Sequence, residues 1–269
     1  LFRSRSNQVV ALTSGTIDVA WHIGAESAPV IEANPNYKLM QTEAAAHPVF
    51  VMDVNQAPFD DVRVREAMKL LVDRPGLLQV VERGNGVVGN DQPYPPTHPD
   101  AADIPTPQRN IERARELLAE AGYADGLDVT LITAEVNPGL TTAAVALQQM
   151  AQPAGVNINV ERVAPAFYWV ENYMTSPFFV SYWSANFDPV LLLVAAYQSD
   201  AFYNETGWTD PVLDELLFDA LATIDPEARQ AAYAEIQRFI AERDGAIIPY
   251  FTPHLSAMRA DVYGPAPSY

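Results

Sequence analysis

The chain has 269 residues, 49% of them hydrophobic and 10% aromatic, enough apolar content for one large core or two modest ones. Thirty-four acids against sixteen bases give a formal charge of −18, which argues against nucleic acid as a partner because no basic surface can collect phosphates. The absence of cysteine excludes disulfides, thiolate catalysis and cysteine-held metals, and no run of eighteen apolar residues is present to span a bilayer.

In chain order, a short helix or turn precedes "GTIDVAWHI" (15–23), which reads as a buried strand, and a loop punctuated by Pro29, Pro35 and Pro48 follows. "VFVMDV" (49–54) is a second strand. Pro58 ends that extended run, and Asp60 or Asp61 is placed to accept the orphan N–H groups of a helix whose Val64, Ala67, Met68, Leu71 and Leu78 share one face. The proline-rich segment 83–108 cannot be regular structure and reads as a loop, ordered or mobile. Asn110 then caps "IERARELLAEAG", and Gly122 stops it. "LDVTLIT", "TTAAVALQQMAQPAG" and "VNINVERV" give strand, helix and strand, the pattern of a βαβ crossover. "FFVSYWSANFDP" is a further strand broken at Pro189, helices are predicted over 190–198, 210–223 and 226–243, and "AIIPYF" and "LSAMRADVYG" are extended. The fold class is mixed α/β without internal repeats.

Most motifs carry little chemistry. "GNGVVG" (84–89) matches G-x-G-x-x-G, but a helical pattern precedes it and "NDQPYPP" follows, so the strand-turn-helix context of a dinucleotide site is missing. His22, His47, His98 and His254 are scattered without i,i+4 pairing, and no metal site is expected. Only His22 stays in view, because it ends a strand beside Trp21. Asp60 and Asp61 are more simply a cap than an acid–base pair, no G-x-S-x-G elbow occurs, and "NET" (204–206) is too short a glycosylation pattern to weigh. The concentrated signal is aromatic: "PAFYWVENYM", "FFVSYWSANFDP" and "AAYQSDAFYNETGW" mix rings with Asn, Ser and Asp, as ligand pockets do, although most such rings are core.

"NQAPFDDVRVREAMKLLVDR", "NIERARELLAEAGYADGLDVTL", "SYWSANFDP" and "NETGWTDPVLDELLFDALATIDPEARQAAYAEIQRFIAERDGAIIPYF", in this order and spacing, resemble the C-terminal half of the family 5 extracellular solute-binding proteins, the peptide and nickel receptors of ABC importers. The resemblance implies a type II periplasmic-binding-protein-like lobe, a mixed sheet flanked by helices. It implies that 1–50 belong to a first lobe, 51–248 form the second, and 249–269 return to the first, with "VFVMDVN" as a hinge strand. Family members are about twice as long, so the missing N-terminal half is an expected partner, beside a small solute and a membrane permease. The expected location is periplasmic, or lipid-anchored at the outer face of the cytoplasmic membrane.

By the same resemblance, Trp183 stacks on the ligand, Asn186 and Asp188 hydrogen-bond it, and Trp21 and His22 approach from the first lobe. Tyr168, Trp169, Phe202 and Asn204 are further pocket-wall candidates. Peptide-binding members carry an Asp where this chain has Asn186, and the dipeptide binder an Arg where "TAEVNPG" offers Glu135. An amide cannot replace the ion pair of a buried ammonium, so ordinary zwitterionic dipeptides are not expected: sugars or other neutral polyols fit a ring-plus-amide site without a charged clamp, and peptides are the minority reading, with Asp188 taking the amine role. Neither catalysis nor a cofactor is expected. The alternatives are a glycoside-acting enzyme, for which no carboxylate pair stands out, and a peptide-binding chaperone.

Overall fold

The computed structural model describes residues 5–42, 45–184 and 189–263, without the side chains of Arg5, Ser6, His22 and Pro189. A small unit holds α1 (Arg5–Thr13), β1 (Val19–Ile23), α2 (Ala28–Glu32), β2 (Tyr37–Gln41) and the last strand, β10 (Leu255–Arg259). Its antiparallel sheet has the order β1-β10-β2 and packs Ala20, Ile23, Leu255 and Ala257 against Leu12 and Ile31. The loop expected at 24–48 thus contains a helix and a strand. Pro29 lies in the first turn of α2, where its missing N–H has no intrahelical partner to lose.

The large unit begins at β3 (His47–Met52) and continues with α3 (Val62–Leu71), α4 (Arg74–Glu82), β4 (Val87–Val88) and α5 (Ile111–Glu120). Then come β5 (Leu127–Thr133), α6 (Leu140–Ala151), β6 (Val156–Arg162), α7 (Pro165–Phe167) with a π-turn over Tyr168–Asn172, and β7 (Phe178–Trp183). Helices α8 (Pro189–Tyr197), α9 (Pro211–Ala222) and α10 (Pro226–Arg243) precede β8 (Ala246–Ile247) and β9 (Tyr250–Phe251). The sheet order is β6-β5-β7-β3-β8. β5 pairs in parallel with both β6 and β7, whereas β3 is antiparallel to β7 and β8.

Every residue of β3 is buried: Phe50 and Met52 enter one apolar cluster, Val49 and Val51 the other. That is the pattern of a strand covered on both faces. The expected hinge strand is therefore an interior strand of the large sheet, and the chain crosses between units just before it. There Thr252 N donates to Ala46 O at 2.7 Å, and Ala45 N to Thr252 O at 3.3 Å.

The "RVREAMKLLVDR" stretch closes helix ends. Asp61 caps α3, Asp73 caps α4, and Arg63 donates to Glu120 O, the last carbonyl of α5, at 2.6 Å. Arg65 reaches Arg243 O at 3.1 Å and Lys69 reaches Ala241 O at 2.8 Å, so two cations one turn apart complement the negative end of α10. Burial holds the Lys69 amine below its usual range. Arg74 donates to Lys69 O and Pro107 O and pairs with Asp91, both side chains being inaccessible.

Asp91 in turn accepts from Ile248 N at 3.0 Å, so the proline-rich loop is anchored inward, with Asn90, Gln92 and Tyr94 buried beside it. The "GNGVVG" glycines allow this approach. A Cβ on Gly86 would lie 2.3 Å from Phe251 O, and one on Gly89 2.3 Å from Ile248 O.

Removing one partner of a buried pair strands the other charge. Arg74→Met is expected to lower unfolding free energy by about 3–5 kcal/mol. Urea titration at pH 7 measures this, and a loss within about 1 kcal/mol, the range of an exposed pair, would deny the pair its anchoring role.

Candidate functional site

The chain runs from β5 through α6 to β6 on one side, and from β6 back to β7 on the other side of β5. Strand order therefore reverses between β5 and β7, a switch point of the kind where open α/β sheets bind ligands. The loop that leaves β5 is 134–139. The one that leaves β7 begins at Ser184 and runs through 185–188, outside the described residues. His47 is opposite Trp183 in the β3–β7 register, so the crossing segments lie on this same edge.

A cavity of about 150 Å³ occupies the place where this edge meets the small unit. The small unit contributes residues 23–26, the crossing Ala46 and residues 252–254, and the large unit Glu82 and residues 137–139. Its titratable lining residues are Glu26, Glu82 and His254. Gly139, at φ 90°, begins α6 without a side chain, and its N–H donates to the Glu135 carboxylate at 2.9 Å. Glu135 is thus engaged in holding the loop.

Trp183 ends β7 opposite His47 and is buried; it is not among the residues that line this cavity. Its indole N–H donates to Glu205 Oε2 at 3.3 Å, while Glu205 Oε1 accepts from Ser181 Oγ at 2.5 Å and from Tyr173 OH at 2.9 Å. Burial pushes the Glu205 carboxyl up to about 7, against the three hydrogen bonds that favour its anion. Burial likewise raises the Tyr173 hydroxyl and the Asp244 carboxyl. A second void of about 10 Å³, room for about one water, is lined by Trp183, Tyr197, Tyr203, Glu205 and Thr206. His47 packs at a tilt of 59° against Phe251 with centroids 4.8 Å apart, and its Nδ1–H donates to Ala45 O at 3.0 Å. Burial pushes its imidazole down to about 4.

The structure places the sequence candidates unequally. Trp183 is at the switch point. Trp21 lies on β1, 52% exposed, and Trp169 is 47% exposed, edge-on to Tyr168 and Tyr173. Phe202 is 82% exposed and packs edge-on against Tyr203, whose ring meets Trp183 at 5.8 Å.

Two candidates are corrected. Tyr168 is wholly buried with its hydroxyl donating to Val180 O at 2.7 Å, so it is a core ring and no pocket wall. Asn204 spends its amide on Trp208 O at 2.7 Å, which folds the turn and leaves a buried side chain. Asn186, Asp188 and the His22 side chain lie outside the described residues. Sequence reasoning missed Glu205, whose one signal was an acid within an aromatic stretch. Among the described residues no group of three His, Asp or Glu is assembled for a metal, and no helix is long and apolar enough to cross a membrane.

A model of the bacterial extracellular solute-binding proteins, family 5 (middle), matches residues 1–204. The glutathione-binding protein GsiB of Escherichia coli (strain K12) is 28% identical over 251 residues, 87% of this chain and 48% of the relative. The periplasmic oligopeptide-binding protein OppA of Salmonella typhimurium is 28% identical over 208 residues, 73% of this chain and 37% of its own. The chain thus spans half or less of the length of these curated relatives. In solved structures, DppA from Helicobacter pylori in complex with peptide STSA superimposes with a TM-score of 0.87 at 20% identity, covering 98% of this chain and 52% of that one. NikA from Staphylococcus aureus in complex with Ni(L-His)2 gives 0.83 at 21% identity, covering 97% and 57%. These likenesses establish a shared fold.

The buried His47 has a thermodynamic signature. Its native pKa is depressed, so the unfolded chain takes up a proton that the native state excludes between pH 6.5 and about 4. Its contribution is therefore complete above pH 6.5 and is lost on acidification, by about 3 kcal/mol at 1.36 kcal/mol per unit. Glu205 acts with opposite sign: its raised pKa favours the native state below pH 4.5, and that contribution is lost as pH rises through about 7. The measurement is thus the difference between wild type and His47→Gln in urea-unfolding free energy at several pH values. It should shrink steadily from pH 6.5 to 4; a pH-independent difference would rule out a neutral buried imidazole.

Proposed function

Because this chain belongs to the family 5 bacterial extracellular solute-binding proteins, we propose that it serves as part of the substrate-binding component of an ABC importer and captures a peptide-class solute between its two units. The observation that carries this reading is the coincidence of three features on one edge: the strand-order switch between β5 and β7, the paired crossing segments, and a cavity lined from both units. A ligand touching both units favours the arrangement in which they meet. A membrane permease receives the solute, outside the cytoplasmic membrane.

The remainder of the binding cleft comes, on this reading, from the part of the family fold that the chain does not span. The role is binding without turnover: the named relatives are binding proteins, and two of them are named for glutathione and oligopeptides. Peptides are therefore placed ahead of sugars. The amide argument for sugars turns on Asn186, which lies outside the described residues. Trp183 is the proposed ligand-contacting ring, with Trp21 and Trp169 as exposed aromatic flanks.

Calorimetric titration of the chain, assembled with the remainder of the family fold, against glutathione, a zwitterionic dipeptide, a tetrapeptide, nickel with histidine, and maltose checks this reading. Saturable heat is expected with a peptide-class ligand, and Trp183→Ala should weaken it by roughly tenfold or more, about 1.4 kcal/mol. Binding of maltose alone, or hydrolysis of any of these compounds, would overturn the proposal.

A further inference from the structure

Among the described residues three buried acids lie within the large unit: Asp91, Glu205 and Asp244. Asp91 pairs with Arg74. Asp244 accepts from Thr206 Oγ1 at 2.6 Å and from Ala246 N at 3.3 Å, and it feels the positive charge of Lys69. Glu205 differs: among the described residues it has no cationic partner, and the groups that meet it are neutral donors from two other elements. Tyr173 comes from the turn after the π-turn, and Ser181 and Trp183 from β7.

Among the described residues, the other titratable groups that face it are Tyr168 from the π-turn, Tyr197 of α8 and Asp244 beyond α10. Tyr203, from its own loop, lies beside Tyr173 and packs on Trp183. All of them are neutral or negative. If filling hydrogen bonds were the whole role, a neutral amide would serve at lower desolvation cost.

We infer that Glu205 is the positioning residue of the candidate ligand site, fixing the Trp183 indole from behind through a charge-assisted hydrogen bond whose strength follows the charge of the carboxylate. This inference rests on the reading that Trp183 faces the ligand. The three donors respond differently to that charge. The Ser181 and Tyr173 hydroxyls can turn and accept a proton placed on Oε1, whereas the indole N–H donates only. Protonation therefore leaves Trp183 bonded to a neutral acceptor, and the hold on the ring weakens. The carboxyl titrates near neutrality, so both states are accessible under ordinary conditions.

The direct readout is the Trp183 indole N–H resonance of the 15N-labelled chain between pH 5 and 9. It is identified among the four tryptophans by its loss in Trp183→Phe. It is expected to shift with a midpoint near pH 7, and in Glu205→Gln to stay near the low-pH position of the wild type at every pH. Ser181→Ala removes one donor to the anion and should move the midpoint upward, a check that holds even where Glu205→Gln fails to fold. A resonance that does not move, or one that titrates unchanged in Glu205→Gln, would overturn the inference.

Titration with glutathione and the tetrapeptide separates this inference from the binding proposal. Wild-type affinity for whichever of them binds should fall severalfold as pH drops through 7, and the Glu205→Gln profile should be flat. If Trp183 titrates as expected but no peptide binds, the binding proposal fails and the positioning role stands. If a peptide binds and Trp183 does not titrate, the reverse holds.

Discussion

The large unit depends on one buried ion pair. Arg74 and Asp91 are both inaccessible, and between them they bond to three separate segments. Arg74 donates to the carbonyls of Lys69 on α3 and Pro107 in the proline-rich loop, while Asp91 accepts from Ile248 in the return toward the small unit. Asp91 adopts φ 62°, a left-handed conformation that a non-glycine residue occupies at some cost. The pair offsets that cost and its own desolvation through these bonds, although Arg74 Nε has no hydrogen-bond partner among the described residues. Around it, Arg65 and Lys69 close α10 and Arg63 closes α5, so the charged residues of a single helix secure the ends of two others.

Much of this was legible in sequence because it is local. Asp61, Asn110, Asp210 and Asp225 each sit just before a helix and each accept a backbone N–H within it, as capping chemistry requires. The β5–α6–β6 crossover could be read from alternation, helical spacing and a short Gly turn. α2 and β2 were not legible, since five-residue elements carry too little periodicity to stand out against prolines. Strand order was not legible either: the placement of β7 beside β5 depends on side chains from both faces of the sheet meeting in three dimensions.

The candidate site shows the same division. Trp183 was singled out as a candidate by its strand and aromatic context, and that same signal could not separate Tyr168, whose hydroxyl finds Val180 O inside the core, from Trp169, one residue on and half exposed. Glu205 was hidden because its meaning lies in partners 22 to 32 positions away. The G-x-G-x-x-G match misleads for a related reason. Close backbone approach is what the motif encodes, and here the approaching backbone is Ile248 to Phe251 rather than a pyrophosphate.

Buried charge is thus used in two ways within one unit. Where a carboxylate meets a cation, as at Asp91, the result is rigid: neither group can move without breaking several contacts at once. Where it meets only neutral donors, as at Glu205, the same burial brings the carboxyl to neutrality and leaves its charge free to vary. The rigid pair holds the sheet edge and the return segment in register. The variable carboxylate lies at that edge, behind the ring at the switch point, and so a proton there changes how Trp183 is held without disturbing the frame that presents it.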